Sequence, residues 1–176
     1  MNNILSKSSS LSIIHNEPLV NIHFFIGLPG SGKTYAAKNL SKEFLKQYPN
    51  EVLYIDDLYI ELKKNNFNWS VIFSSNQNYK FVIITDFLAC DPKQQLFLYN
   101  KLDELYPQCK QEWTFFENNP QQCSKNIQLR NNGLKVDLTL QQMTKIYQVS
   151  SDIKKLLHSV IILPVYQSPK VKKSLK

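Results

Sequence analysis

Arginine is almost missing from this 176-residue chain: Arg130 stands alone among 21 basic residues. Lysine carries the rest of the positive charge, so whatever a planar, bidentate guanidinium does here is done at one position. Cysteine is scarce as well. Cys90, Cys109 and Cys123 are too few, too scattered and odd in number for a disulfide framework, which points to a reducing compartment. No apolar run approaches the roughly 18–20 residues that cross a bilayer. The Ser- and Asn-rich start, Met1 to Ser12, lacks an apolar core of the kind a secretory signal needs. Cytoplasmic localisation is therefore the expectation. His15, His23 and His158 are isolated, and no metal-ligand cluster forms between them and the cysteines.

What is present suffices for one domain. A hydrophobic share of 43% beside 20% charged residues supports a core of ordinary size. The expected division is a flexible arm over 1–18, a folded domain over 19–168 and a basic tail over 169–176. Net charge is +7 and the pI about 9.2, which favours a polyanionic partner or a phosphorylated substrate. Part of that charge sits in the tail at Lys170, Lys172, Lys173 and Lys176, as a solvated end or a binding arm.

Apolar, β-rich runs alternate with helical stretches, the pattern of an α/β domain with a parallel sheet. Strands are expected at Asn21–Ile26, Glu51–Ile55, Lys80–Thr85, Glu112–Phe116 and Ser159–Leu163. A helix is expected from Lys33 to Gln47, stopped by Tyr48-Pro49-Asn50. Asp91-Pro92 opens another to Tyr106, and Pro120 opens a third to Arg130. Thr139 to Gln142 has capping-box form and starts a helix through Tyr147. The stretch between Asp57 and Lys80 is the least regular.

The densest motif follows the first strand. Gly27-Leu-Pro29-Gly30-Ser31-Gly32-Lys33-Thr34 satisfies G-x-x-x-x-G-K-[ST], a phosphate-binding loop. Its glycines let successive backbone N–H groups turn toward phosphate oxygens. Lys33 is placed to reach the β- and γ-phosphates, Thr34 to ligate Mg²⁺, and the following helix to add its positive end.

Three carboxylates stand at expected strand ends, where open α/β sheets bind ligands. Asp86 closes the run Phe81-Val-Ile-Ile-Thr85 as a Walker B acid would, holding Mg²⁺; the alternative is an Asp that opens the next turn. Asp56 and Asp57 suit the task of orienting an acceptor alcohol and taking its proton, or else cap a helix. Arg130 ends a helix before Asn131-Asn132-Gly133 and Lys135, an arrangement that suits a lid bringing cations to the phosphates. A helix C-terminus also favours arginine on its own account.

The order of these pieces resembles the phage polynucleotide 5′-kinase family, a branch of the P-loop kinases, over about residues 21–168. The loop is similar down to its Pro-Gly-Ser-Gly centre, and Asp56-Asp57 stands where the family carries an Asp pair. Asp86 with Pro92, the run from Trp113 through Glu117 to Arg130-Asn131, Lys135-Val136, Met143 and Tyr147, and Leu163 to Tyr166 continue the similarity. The resemblance implies a five-stranded parallel sheet in the order 2-3-1-4-5 flanked by helices. It also implies ATP on the loop, Mg²⁺ on Thr34 and Asp86, Asp56 as general base and Arg130 as lid arginine. There are departures. Tyr59 stands where the family has an arginine for the acceptor's 3′-phosphate, and the basic residues after the Walker B segment thin to Lys93, Gln94 and Gln95. Lys63 and Lys64 are candidate substitutes, and no phosphatase-type Asp-x-Asp-x-Thr motif stands within these 176 residues.

The expected activity is ATP-dependent transfer of the γ-phosphate to an acceptor hydroxyl, with a DNA or RNA 5′-OH as first candidate. A small-molecule or nucleoside hydroxyl is the alternative, as is a P-loop protein that docks nucleic acid without transferring phosphate. Phe67, Trp69 and Phe73 are candidates to stack a base or to fill the core.

Overall fold

The central strand β1 (Asn21–Ile26) buries side chains on both faces, and this sets the layering. Ile22, Phe24 and Ile26 point into one core, Phe25 into the other, following the two-residue period of a strand. The same split recurs along β3 (Phe81–Asp86), where Val82 and Ile84 oppose Ile83. It recurs again in β4 (Lys110–Phe116), where Trp113 and Phe115 oppose Phe116. Strands buried on both faces belong to a parallel sheet covered by helices. With β2 (Val52–Ile55) and β5 (Val160–Leu163) the five strands pair in parallel in the order β2-β3-β1-β4-β5. The computed structural model describes residues 20–73, 78–130, 137–157 and 160–167.

Helix α1 (Lys33–Gln47) covers the smaller core through Ala37, Leu40 and Phe44. The larger core lies under α2 (Leu58–Lys64), α4 (Pro92–Leu105), α6 (Asp137–Ile146) and α7 (Ser151–Leu156). These contribute Leu58 and Leu62, Leu98 and Leu102, Leu140, and Ile153 respectively. α3 (Trp69–Ile72) is a single turn, and α5 (Pro120–Arg130) sends Cys123 into the same core. Among the described residues, no helix is long and apolar enough to cross a membrane.

The expected sheet order and most element positions are those observed. Three differences have local causes. The irregular stretch after Asp57 holds α2 and α3, capped by the side chains of Asp57 and Asn68. α6 begins at Asp137, so Thr139 lies inside the helix rather than at its cap, and Tyr147 lies just past its end. Helix α7 was not expected; Ser150 caps it by accepting a hydrogen bond from Ile153 N at 3.1 Å. The expected arm, the tail, Lys135, His15, His158 and the Asn131–Gly133 segment lie outside the described residues.

Gln95, read from sequence as a lost basic position, is a fully buried tie between elements. Its Nε2 donates to Ala89 O (2.9 Å) and Gln148 O (2.7 Å), and its Oε1 accepts from Ser150 N (2.9 Å). Replacing it with leucine strands three backbone groups. Gln95→Leu is expected to lower stability by about 2–4 kcal/mol, measured as a reduced urea midpoint at unchanged m-value.

Candidate functional site

The turn out of β1 carries two left-handed glycines, Gly30 (φ +82°) and Gly32 (φ +102°). Their missing side chains are needed for space as well as for backbone conformation. A Cβ on Gly30 would lie 2.4 Å from the Cys123 carbonyl oxygen, and one on Gly32 2.5 Å from the Tyr166 Cβ. Helix α5 and the segment after β5 therefore form the back wall of the loop. Asn126, buried on α5, fastens that wall: its Nδ2 donates to Gly30 O (2.8 Å) and to Tyr166 O. Tyr166 N donates to Ser31 O (2.9 Å), and the Tyr166 ring lies 4.8 Å from that of Tyr35.

Helix α1 starts from this turn without a side-chain cap and without an acidic residue in its first turn. That sets it apart from α2, α4 and α7, whose N-terminal N–H groups are met by Asp57, Asp91 and Ser150. A 15-residue helix with its positive end open at a glycine loop is suited to an anion. The Ser31 hydroxyl is buried there with no partner among the described residues. Loop, orphan donor and open helix end fit a bound polyphosphate.

The expected carboxylates converge beside it. Asp56 Oδ1 accepts from Thr34 Oγ1 (3.0 Å) and from Thr85 Oγ1 (2.9 Å), while Lys38 Nζ approaches Asp56 Oδ2 at 3.6 Å. Thr85 Oγ1 also accepts from Asp57 N at 2.9 Å. The two aspartates differ in setting. Asp57, at φ +63°, caps α2 through Ile60 N, whereas the Asp56 carboxylate stays exposed at the loop. Asp86, 1% exposed, accepts from Tyr59 N (2.8 Å) and Leu88 N. Burial pushes its carboxyl up to about 6; the hydrogen bond from Leu88 N counters this, the Asp57 charge adds to it, and Tyr59 N and Lys33 oppose it. Burial likewise raises Asp57, against the Ile60 N–H and Lys33.

Thr34, Asp56 and Asp86 are hard oxygen donors. Among the described residues, no group of three or more His, Cys, Asp or Glu is arranged to hold a metal by itself. Magnesium takes one or two carboxylates and completes its shell with water and phosphate oxygens, so this donor set fits it. Arg130 is exposed, among the described residues it makes no ion pair, and it ends the α5 stripe that runs through Cys123 and Ile127, both packed on Gly30. Spacings of three and four place it on the loop side of the helix. Thr85, Asn126 and Tyr166 are parts of the site that sequence reading missed. The signals available were one hydroxyl in an apolar strand and one amide on the buried stripe of α5.

No family model and no curated protein matches the sequence. By structure, 86% of the chain superposes on 86% of a gluconokinase from Sinorhizobium meliloti 1021, with TM-score 0.54 and 13% identity. A fungal RNA kinase matches 91% of the chain over 81% of its own, with TM-score 0.55 and 13% identity. The fold is that of the P-loop kinases. At such identities the likeness is one of fold, and it agrees with the strand order and the glycine loop at the end of the central strand. The P-loop kinase fold accounts for the glycine requirement directly. Gly30→Ala is expected to cost about 2–4 kcal/mol through backbone strain and the clash with Cys123 O, read in thermal unfolding. A wild-type transition would contradict the tight back wall.

Proposed function

We propose that this chain is an ATP- and Mg²⁺-dependent kinase that transfers the γ-phosphate to a hydroxyl group. The observation that carries the reading is the open N-terminus of α1 at the glycine loop, where α2, α4 and α7 are closed by their own side chains. Backbone N–H groups of the loop and the Lys33 ammonium would hold the β- and γ-phosphates. Thr34 and Asp86 would hold Mg²⁺, which when bound neutralises phosphate charge.

Asp56 is exposed beside Thr34 and is assigned to orient the acceptor hydroxyl and take its proton. As the acceptor oxygen bonds to the γ-phosphorus, the bond to the bridging oxygen breaks and ADP leaves. Arg130, with Lys135 beyond it, would bring positive charge over the transferring group. Of the acceptors expected from sequence, a nucleic-acid 5′-OH rests on the family resemblance, and the net charge of +7 is compatible with it. A small-molecule hydroxyl is favoured by an apolar cavity beside Asp86.

The test is transfer of labelled γ-phosphate in the presence of Mg²⁺ to 5′-hydroxyl DNA and RNA oligonucleotides, nucleosides and polyols. Lys33→Ala is expected to abolish transfer. Asp56→Asn should lower kcat by about 10²–10⁴-fold. Arg130→Ala should lower kcat by about 10³-fold, and an effect within a few fold would remove the lid role. ATP binding with no transfer to any hydroxyl would contradict the kinase reading.

A further inference from the structure

A cavity of about 480 Å³ lies between α2, α3, α4 and α6, lined by Tyr59 and by Asp86, whose neighbour across the sheet, Ile26, leads into the phosphate loop. Its volume is that of a small-molecule site. The walls are mainly apolar and carry four aromatic rings. Trp69 meets Phe97 edge-on at 6.2 Å, and Tyr59 and Phe67 lie 6.2 Å apart. Phe67 and Phe97 are 55% and 54% exposed, so the cavity presents open ring surface of the kind that lines ligand grooves. Phe73, the third aromatic noted from sequence, is core.

The charges in this cavity have one sign. In a chain of net charge +7, the lining among the described residues holds Asp86 and Asp91 and neither lysine nor arginine. Asp91 accepts from Lys93 N at 3.0 Å and caps α4, so a protein carboxylate already occupies the positive helix end where a substrate phosphate would sit. The candidate cations do not repair this: Lys64 pairs with Glu61 at 2.7 Å, and neither Lys63 nor Lys93 lines the cavity. Neutral polar contacts remain, from Gln94 and Tyr59.

We infer that the acceptor is an uncharged alcohol built on a flat ring, of about nucleoside size, held between the aromatic rings with its hydroxyl directed out of the cavity toward Asp56 and the loop. This rests on the kinase reading above and narrows its acceptor. A phosphate on the acceptor's far end would meet the Asp91 carboxylate in a mainly apolar pocket where the described lining has no cation to offset it. A flat ring gains stacking and apolar burial there.

Trp69 lines the cavity and Trp113, the second of the two tryptophans, is fully buried, so fluorescence quenching reports occupancy. With Mg²⁺ and a non-hydrolysable ATP analogue bound, thymidine and adenosine would be titrated against their 3′-monophosphates and a 5′-hydroxyl oligonucleotide. The neutral nucleosides are expected to bind at least about tenfold more tightly than the 3′-phosphates. Phe97→Ala should weaken the nucleosides several-fold, and Asp91→Asn, which keeps a capping oxygen, should narrow the discrimination. Equal or tighter binding of the phosphorylated compounds, or no binding of either nucleoside, would overturn the inference. ATP binding and its loss in Lys33→Ala, measured separately, keep the two readings apart. A chain that binds ATP and prefers the oligonucleotide retains the kinase reading and loses this one.

Discussion

The site depends on one mechanical constraint: the loop backbone must turn through two left-handed glycines while another part of the fold holds it from behind. Asn126 supplies that hold, bonding Gly30 O and Tyr166 O from a helix 96 residues further along the chain. A loop pinned in this way presents its N–H groups without having to be ordered by the ligand, which is what preorganised phosphate binding needs. The same packing leaves no room for a side chain at Gly30 or Gly32.

Around this loop the capping of helices sorts the surface by charge. Where Asp57 and Asp91 close α2 and α4, the protein supplies its own anions; where α1 is left open, its N–H groups are free to take an anion from outside. On the proposed function, phosphate binding at the loop and phosphate exclusion in the aromatic cavity sit side by side. Thr85 links the two regions, holding Asp56 against Thr34 and anchoring the backbone of Asp57. Asp86 closes the arrangement from below, its two oxygens already engaged by backbone N–H groups of Tyr59 and Leu88.

Much of this was legible in the chain itself. β1, the loop and α1 could be read because an apolar run, a glycine motif and a helical spacing follow one another locally, and Pro120 marked the start of α5 just as plainly. The strand order came from resemblance, since no local signal encodes which strand neighbours which. α2, α3 and α7 were not legible: they are seven, four and six residues long, too short for a periodic pattern. α2 ends in a turn with left-handed Asn66 and Phe67, a conformation no ordinary rule assigns to phenylalanine. Thr139 misled because a capping-box pattern also fits the interior of a helix already begun at Asp137. Thr85, Asn126 and Gln95 escaped because their partners lie far away in sequence, and only the fold brings them together.

The most direct measurement is a backbone amide NMR titration with Mg²⁺ and ATP, asking whether an anion settles on the open end of α1. The largest shifts are expected at Gly30 through Thr34, with adenosine alone leaving those amides nearly unmoved. Shifts centred elsewhere, or equal shifts with adenosine, would contradict phosphate binding at this loop.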